Sequence, residues 1–308
     1  MQAVLRWTAI GAGLVLVVAA GLGWAAYRKF SGNIRTDRAA EQVLTRYAAE
    51  RPRALVPQAT NILVMGGDDR GAPGHRRDPG GSDDRERGGP GEPDGPDGRA
   101  DSAVLLHLSA DHRRAAAVGV PRDLRVTVPE CAPHDGRGTV ADETFGAAFR
   151  GGAACTIRAF ERLSGIRVDH HLVVDMAGFA RISSAVGGTS GDPDRRAALL
   201  RALAAEAHRG PRTLAHPARL YGFLNAATSS ITADPGLSSL AALYELAGSL
   251  RGVPEDGLTV VSVPVGGQGA LREPDAGRLF SAVREDRPVA GVRAERPTGK
   301  ADGSPGVS

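Results

Sequence analysis

The feature that most constrains this chain is residues 7–27 (WTAIGAGLVLVVAAGLGWAAY), a continuous stretch without a single charge. An apolar run of this length can cross a bilayer, and aromatic residues stand at both ends, where a span meets the headgroups. A cleaved export signal would carry a shorter apolar region and a small-residue cleavage site, whereas Arg28 and Lys29 follow here directly. The run is read as a retained transmembrane anchor preceded by a short cytoplasmic segment, residues 1–6. Charge counting leaves its orientation open, because Arg6 and the amino terminus compete with Arg28, Lys29 and Arg35.

A chain of 308 residues leaves ample material beyond an anchor for a buried core. Hydrophobic residues make up 42% and charged residues 24%, which excludes wholesale disorder. All but two of the 38 basic residues, Lys29 and Lys300, are arginines, and they alternate with acids. With only 4% aromatic residues to interleave, the net charge of +3 does not build a nucleic-acid surface, and no nucleic-acid partner is expected. The two cysteines, Cys131 and Cys155, suit either a disulfide in an oxidising compartment or a pair of buried thiols.

Charged and apolar residues alternate after the anchor, so residues 28–58 are expected to form a helical stalk, with Pro52 and Pro57 near its end. The apolar run 61–65 (NILVM), closed by Gly66 and Gly67, predicts a buried strand delivering a turn. Residues 71–98 contain almost nothing apolar and are expected to be a disordered loop. Strands follow over 102–108, 115–120 and 124–128. A helix is expected over 156–163, capped by Gly165, then a strand over 171–174 and an Ala- and Leu-rich helix over 194–209. Asp234 and Pro235 are read as the start of another helix, before a strand over 258–263 and a last helix over 275–283. Interleaved strands and helices argue an α/β domain over 59–290 around a central mixed sheet flanked by helices. A polar tail, 291–308, completes the chain.

No nucleophile elbow, phosphate-binding P-loop, His-Glu-x-x-His or Cys-x-x-Cys pattern occurs. The histidines are scattered; His107, His170 and His171 lie in or beside predicted strands and are read as structural. What stands out is three Asp/Arg pairs at strand ends: Asp68 with Arg70, Arg99 with Asp101, and Arg122 with Asp123. Ligands of open α/β sheets bind beyond the strand ends. Arginine grips phosphate oxygens through paired hydrogen bonds, and carboxylates hold magnesium, so such a cluster suits a pyrophosphate. On spacing alone, surface ion pairs and turn residues are the favoured reading.

The segments NILVMGGDDR, RADSAVLLHLSAD, VGVPRDLRV, CTIRAFERLSGIRVDHHLVVDMAGF and AVGG occur in the order and spacing of the LytR-CpsA-Psr family, which the chain resembles from residue 61 to 289. The resemblance implies a membrane-anchored enzyme with its domain outside the cell, a magnesium-dependent phosphotransferase of cell-wall biogenesis. Such enzymes move a glycopolymer from a polyprenyl-pyrophosphate carrier to peptidoglycan. It places Asp68 and Asp101 near the metal. Arg70, Arg99 and Arg122 become pyrophosphate-binding residues, and Asp123 supports Arg122 or the metal. It also favours the Cys131–Cys155 disulfide. Ser102 stands where the family usually has threonine.

One departure bears on catalysis. After Gly188 the family normally continues through several dozen residues that carry further arginines, whereas this chain passes almost directly to SGDPDRRAALL. Asp192 and Arg195 then keep the start of the following helix motif, with Arg195 a further pyrophosphate contact, while Ala198, Leu199 and Leu200 replace its later polar positions. Each preorganised donor removed from such a site commonly costs about 2.7–4 kcal/mol of transition-state stabilisation. Three functions therefore stand beside one another: an active transferase, a homologue that binds the lipid-linked polymer or a partner without catalysis, and a pyrophosphatase.

Overall fold

The computed structural model describes residues 2–67, 100–129, 131, 141–175 and 217–289. It opens with α1 (Gln2–Asn33), β1 (Arg35–Thr36) and α2 (Arg38–Arg46), followed by β2 (Thr60–Gly67), β3 (Ala100–Leu108), β4 (Ala115–Val120) and β5 (Arg125–Val128). Next come β6 (Ala141–Thr144), α3 (Phe145–Ala148), α4 (Ala153–Ser164) and β7 (His170–Asp175). The last part holds α5 (Pro217–Ser229), β8 (Ile231–Ala233), α6 (Leu240–Arg251), β9 (Leu258–Ser262) and α7 (Asp275–Arg284). The expected loop at 71–98, the helix at 194–209 and the tail from 291 lie outside the described residues.

Among the described residues the main sheet runs β1-β8-β7-β2-β3-β4-β9, and β5 and β6 form a separate antiparallel pair. The main sheet is mixed: β2 is parallel to β7 and antiparallel to β3, while β4 is antiparallel to β3 and parallel to β9. Alternation along β2 builds two cores. Leu63 and Met65 join Leu105, Val118, Ile157, Phe160 and Leu279 beneath α2, α4 and α7. Ile62 and the half-buried Val64 turn to the other face, with Leu106, Leu172 and the α6 residues Leu243 and Leu246. The fold class is thus α/β, a central mixed sheet flanked by helices.

The stretch expected to be a stalk is built into this body instead. β1 pairs with β8, and Ile34, Ala40 and Leu44 are buried. A two-residue strand carries no periodicity of its own, so only the partner edge reveals it. α4 ends at Gly165, which adopts φ +65° and returns its N–H to the Glu161 carbonyl, the left-handed cap its sequence position suggests. The expected helix start at Asp234 is a correction. The Asp234 carboxylate accepts from the backbone N–H groups of His171 and Gly236, and α6 begins later with Ser239 as its cap.

The apolar stretch 7–27 falls within α1; the side chains of residues 7–16 and 19 in it lie outside those described. Among the described residues no helix is long and apolar enough to cross a membrane.

Candidate functional site

Strand directions bring the chemistry-bearing segments to one edge of the sheet. β2 finishes at Gly67 opposite Ala100, where β3 begins, and its parallel neighbour β7 finishes at Asp175, also in register with Gly67. β4 runs back against β3 so that Val120 faces Ala103, and Pro121, Arg122 and Asp123 leave the sheet at the same end. Of the residues read as the site, Asp101, Arg122 and Asp123 lie on this rim. Asp68, Arg70, Arg99 and Arg195 lie outside the described residues.

The rim carries an irregularity at one of these positions. Gly66 pairs with Ser102 and Gly67 with Ala100, so Asp101 is passed over and the register shifts. Such a bulge takes one residue out of the ladder and bends the strand locally. The two glycines opposite it present no side chain at the rim.

Arg122 and Asp123 are the central residues of a turn closed by the Leu124 N–H on the Pro121 carbonyl, at 3.2 Å. Packing fixes this turn from below. The Arg122 carbonyl accepts the Gly146 N–H at 2.8 Å, and Leu124 is fully buried beside Phe145. From the side, Gly269 at φ +74° lies so close to the Asp123 carbonyl that a Cβ there would collide with it. Both Arg122 and Asp123 are exposed at the surface. The fold thus fixes the backbone of an exposed charged pair from two sides.

Asp175 was not singled out by sequence reasoning. It ends β7 beside Gly67, and its N–H is held by the Ser230 carbonyl at 2.9 Å. The available signal was a further carboxylate closing a strand, as Asp101 opens one. His107 and His170 lie toward the other end of the sheet, where His107 pairs with Ala116 and His170 with Ile62. Among the described residues Asp101, Asp123 and Asp175 stand at the rim, and carboxylate is a donor type suited to a hard cation such as magnesium. Among the described residues no group of three or more His, Cys, Asp or Glu is arranged to hold a metal.

His107 and His170 serve structure. His107 contacts the Asn61 carboxamide at 2.8 Å and the Asp286 carboxylate at 3.2 Å; burial pushes its pKa down, against the pull of Asp286. His170 Nδ1 lies 3.0 Å from Asp234 Oδ2, and this hydrogen bond raises the imidazole pKa despite burial. Burial pushes the Asp234 carboxyl up, but His170 and the backbone donors outweigh it, so the net shift is downward.

A second charged feature had no motif to announce it. Arg51 grips Glu161 through contacts of 2.7–3.1 Å and also donates to the Val168 carbonyl. The buried Arg158 donates to Glu50 at 2.8 Å and lies 3.5 Å above the centre of the Tyr47 ring. These pairs line a cleft of about 290 Å³ beside α4. Their charges are matched within the protein, so they hold the Glu50–Pro52 segment to α4. The Cys131–Cys155 disulfide is formed and ties the chain beyond β5 to the first turn of that helix.

Solved structures share this architecture. The LytR-Csp2A-Psr enzyme from Actinomyces oris superposes with a TM-score of 0.52 at 16% identity, over 76% of this chain and 93% of that one. Protein gbs0355 from Streptococcus agalactiae gives 0.51 at 14% identity, over 75% and 89%. At these identities the likeness concerns the fold alone. In sequence, the chain is 32% identical over 93 residues to the polyisoprenyl-teichoic acid–peptidoglycan teichoic acid transferase TagU of Halalkalibacterium halodurans, covering 30% of this chain and 28% of that protein. It is 31% identical over 129 residues to the probable cell wall biosynthesis protein LcpB of Corynebacterium glutamicum, covering 42% and 27%. The matched segments thus span little more than a quarter of either relative. The LytR_cpsA_psr family model matches residues 30–198, more than half of the chain and including β2, the Asp101 bulge and the Pro121–Asp123 turn, and the chain belongs to that family.

Proposed function

We propose that this protein is a membrane-anchored phosphotransferase that moves a glycopolymer from a polyprenyl-pyrophosphate carrier to peptidoglycan. The observation that carries the proposal is the convergence on one rim of the bulged Asp101 and the braced Arg122–Asp123 turn. The names of the two relatives, a teichoic acid transferase acting on peptidoglycan and a cell wall biosynthesis protein, support it. In the reaction a peptidoglycan hydroxyl attacks the phosphorus bearing the glycan. A new P–O bond forms, the bond from that phosphorus to the bridging oxygen breaks, and polyprenyl monophosphate leaves with the electron pair. The hydroxyl proton passes to a rim carboxylate or to water.

Arg122, with Arg70, Arg99 and Arg195, neutralises the phosphate oxygens, and Asp123 orients Arg122. Asp68 and Asp101 would hold Mg²⁺, which when bound neutralises charge on the pyrophosphate. The half-covered apolar face beneath α6 offers a surface for the lipid chain. Residues 7–27 of α1 serve as the anchor with the domain outside the cell, where a Cys131–Cys155 disulfide is at home.

The test follows lipid release and polymer attachment together, using the full chain with a polyprenyl-pyrophosphate glycan, magnesium and peptidoglycan. Attachment upholds the proposal. Release alone replaces it with a pyrophosphatase, and tight binding without either product replaces it with a binding protein. Asp101→Ala and Arg122→Ala are each expected to lower attachment at least about 100-fold, as loss of a preorganised charge does, while thermal unfolding stays unchanged.

A further inference from the structure

We propose that α5 is a seat that clamps α1 and thereby turns the Asp101 and Arg122 rim toward the bilayer, with the lipid headgroup boundary lying against the exposed aromatic belt of α1. The inference rests on α1 being the anchor proposed above, and concerns how the domain is held against the membrane.

The join between α1 and the domain has no slack. Lys29 donates to the Tyr221 hydroxyl and sits 4.8 Å above its ring centre, and the Phe30 ring lies 5.4 Å from the same ring. One turn on, Asn33 donates to Asn225 at 3.3 Å and to Thr228 at 3.2 Å. Phe30 and Ile34 are 4% and 5% exposed, and Arg35 is already paired with Thr232 in the sheet. A helix packed on its last turns and continuing at once into a strand is a bracket, whereas a glycine-rich linker would be a tether.

Topology gives the bracket its direction. β1 is parallel to β8, β8 antiparallel to β7, and β7 parallel to β2. The chain therefore enters β1 at the end of the sheet where β2 finishes and β3 starts, which is the rim. Above the seat the α1 surface changes character: Val17, Leu22 and Trp24 are 63–69% exposed, and Trp24 stacks on Tyr27 at 5.9 Å. Apolar side chains, then an aromatic pair, then Arg28 and Lys29, is the order in which a helix leaves hydrocarbon through the headgroup layer. The nine helical steps from Trp24 to Asn33 rise about 14 Å, a height at which a lipid-linked pyrophosphate can meet the rim.

The test uses the full chain in nanodiscs whose lipids carry a headgroup nitroxide quencher. A fluorophore is placed through Ala270→Cys, beside the Asp123 turn, or through Arg113→Cys, at the opposite end of the sheet. The six residues of β4 separate these ends by about 20 Å, so quenching at 270 is expected to exceed that at 113 at least about threefold. Adding Phe30→Ala and Tyr221→Ala should bring the ratio toward one, and Asn33→Ala, which removes two hydrogen bonds without touching the core, should lower it part of the way. A ratio near one in the parent, or a ratio that both sets of variants leave unchanged, overturns the seat. Alkaline extraction reads the anchor separately: a chain released by it lacks the anchor, whereas a retained chain with a ratio near one keeps the anchor and loses the seat.

Discussion

On one face of the central sheet, Leu63, Met65, Leu105, Val118, Ile157 and Phe160 are almost wholly removed from solvent beneath α2, α4 and α7. On the other face, Val64, Leu106 and Leu172 are half-buried, and α6 lies over them without one fully buried residue of its own. These are the two sides of the same strands, separated only by alternation along the chain. The closed face also carries Leu124 and Phe145, the residues that brace the Arg122–Asp123 turn. The comparison teaches a division of labour among the described residues: one face spends its apolar surface on holding the site in place, and the other leaves its apolar surface only partly covered, as the proposed lipid site requires.

The sharpest way to break that division is Phe160→Ala. Phe160 is fully buried and meets the Phe145 ring edge-on at 6.4 Å, so its removal should cost about 3–5 kcal/mol. Denaturant unfolding reads this directly; a loss below about 1 kcal/mol would show that the closed face is not the stabilising one. Reduction of the Cys131–Cys155 disulfide comes next. It ties α4 to a segment 24 residues away, and loop-closure entropy puts its contribution near ~3 kcal/mol. Unfolding with and without reductant measures it, and equal midpoints would mean that α4 keeps its place by packing alone. On the open face, Leu243→Ala should cost less, about 1–2 kcal/mol, since the side chain is only partly buried. Its larger effect should fall on KM for a lipid-linked substrate, with kcat little changed. An unchanged KM would remove that face from the proposed lipid site.

Much of the closed face was legible in the sequence because its signals are local. The run 61–65 with two glycines behind it, the apolar run in 102–108 and the helical spacing of Ile157, Phe160 and Leu163 each announce an element within a dozen residues. The open face was harder to read. β1 and β8 have two and three residues, too few for a period, and exist through pairing with each other and with β7. α5 lacked a strong cap signal. Asp234 had the look of a helix cap, but His170, on another strand, competes for its carboxylate. The site shows the same limit. Asp101, Arg122 and Asp123 could be named from their places at strand ends, whereas the bulge that lifts Asp101 out of the ladder is a property of two strands together. Asp175 needed the parallel register of β7 to bring it to the rim.

The smallest effect distinguishes the faces by pH, because each has a histidine of opposite behaviour. His107, on the same face as Leu105, has its pKa lowered by burial, so its contribution to stability is present above the unfolded value of about 6.5 and is lost as pH falls through the folded one. His170, on the face of Leu172, has its pKa raised by Asp234, so its contribution is full below about 6.5 and fades as pH rises through the folded value. Asp234, lowered in turn, holds that contribution only above the unfolded carboxylate value of about 3.9 and loses it as pH falls further. His170→Gln should therefore lower stability near pH 5 and leave it nearly unchanged near pH 8. His107→Gln should flatten the loss of stability on acidification. Unfolding midpoints of both variants across pH 4–8 measure this pair of opposite slopes. If the two slopes had the same sign, the corner where β7 meets β8 would be held by packing like the closed face, and the ion pair at Asp234 would be incidental to keeping α6 over the open one.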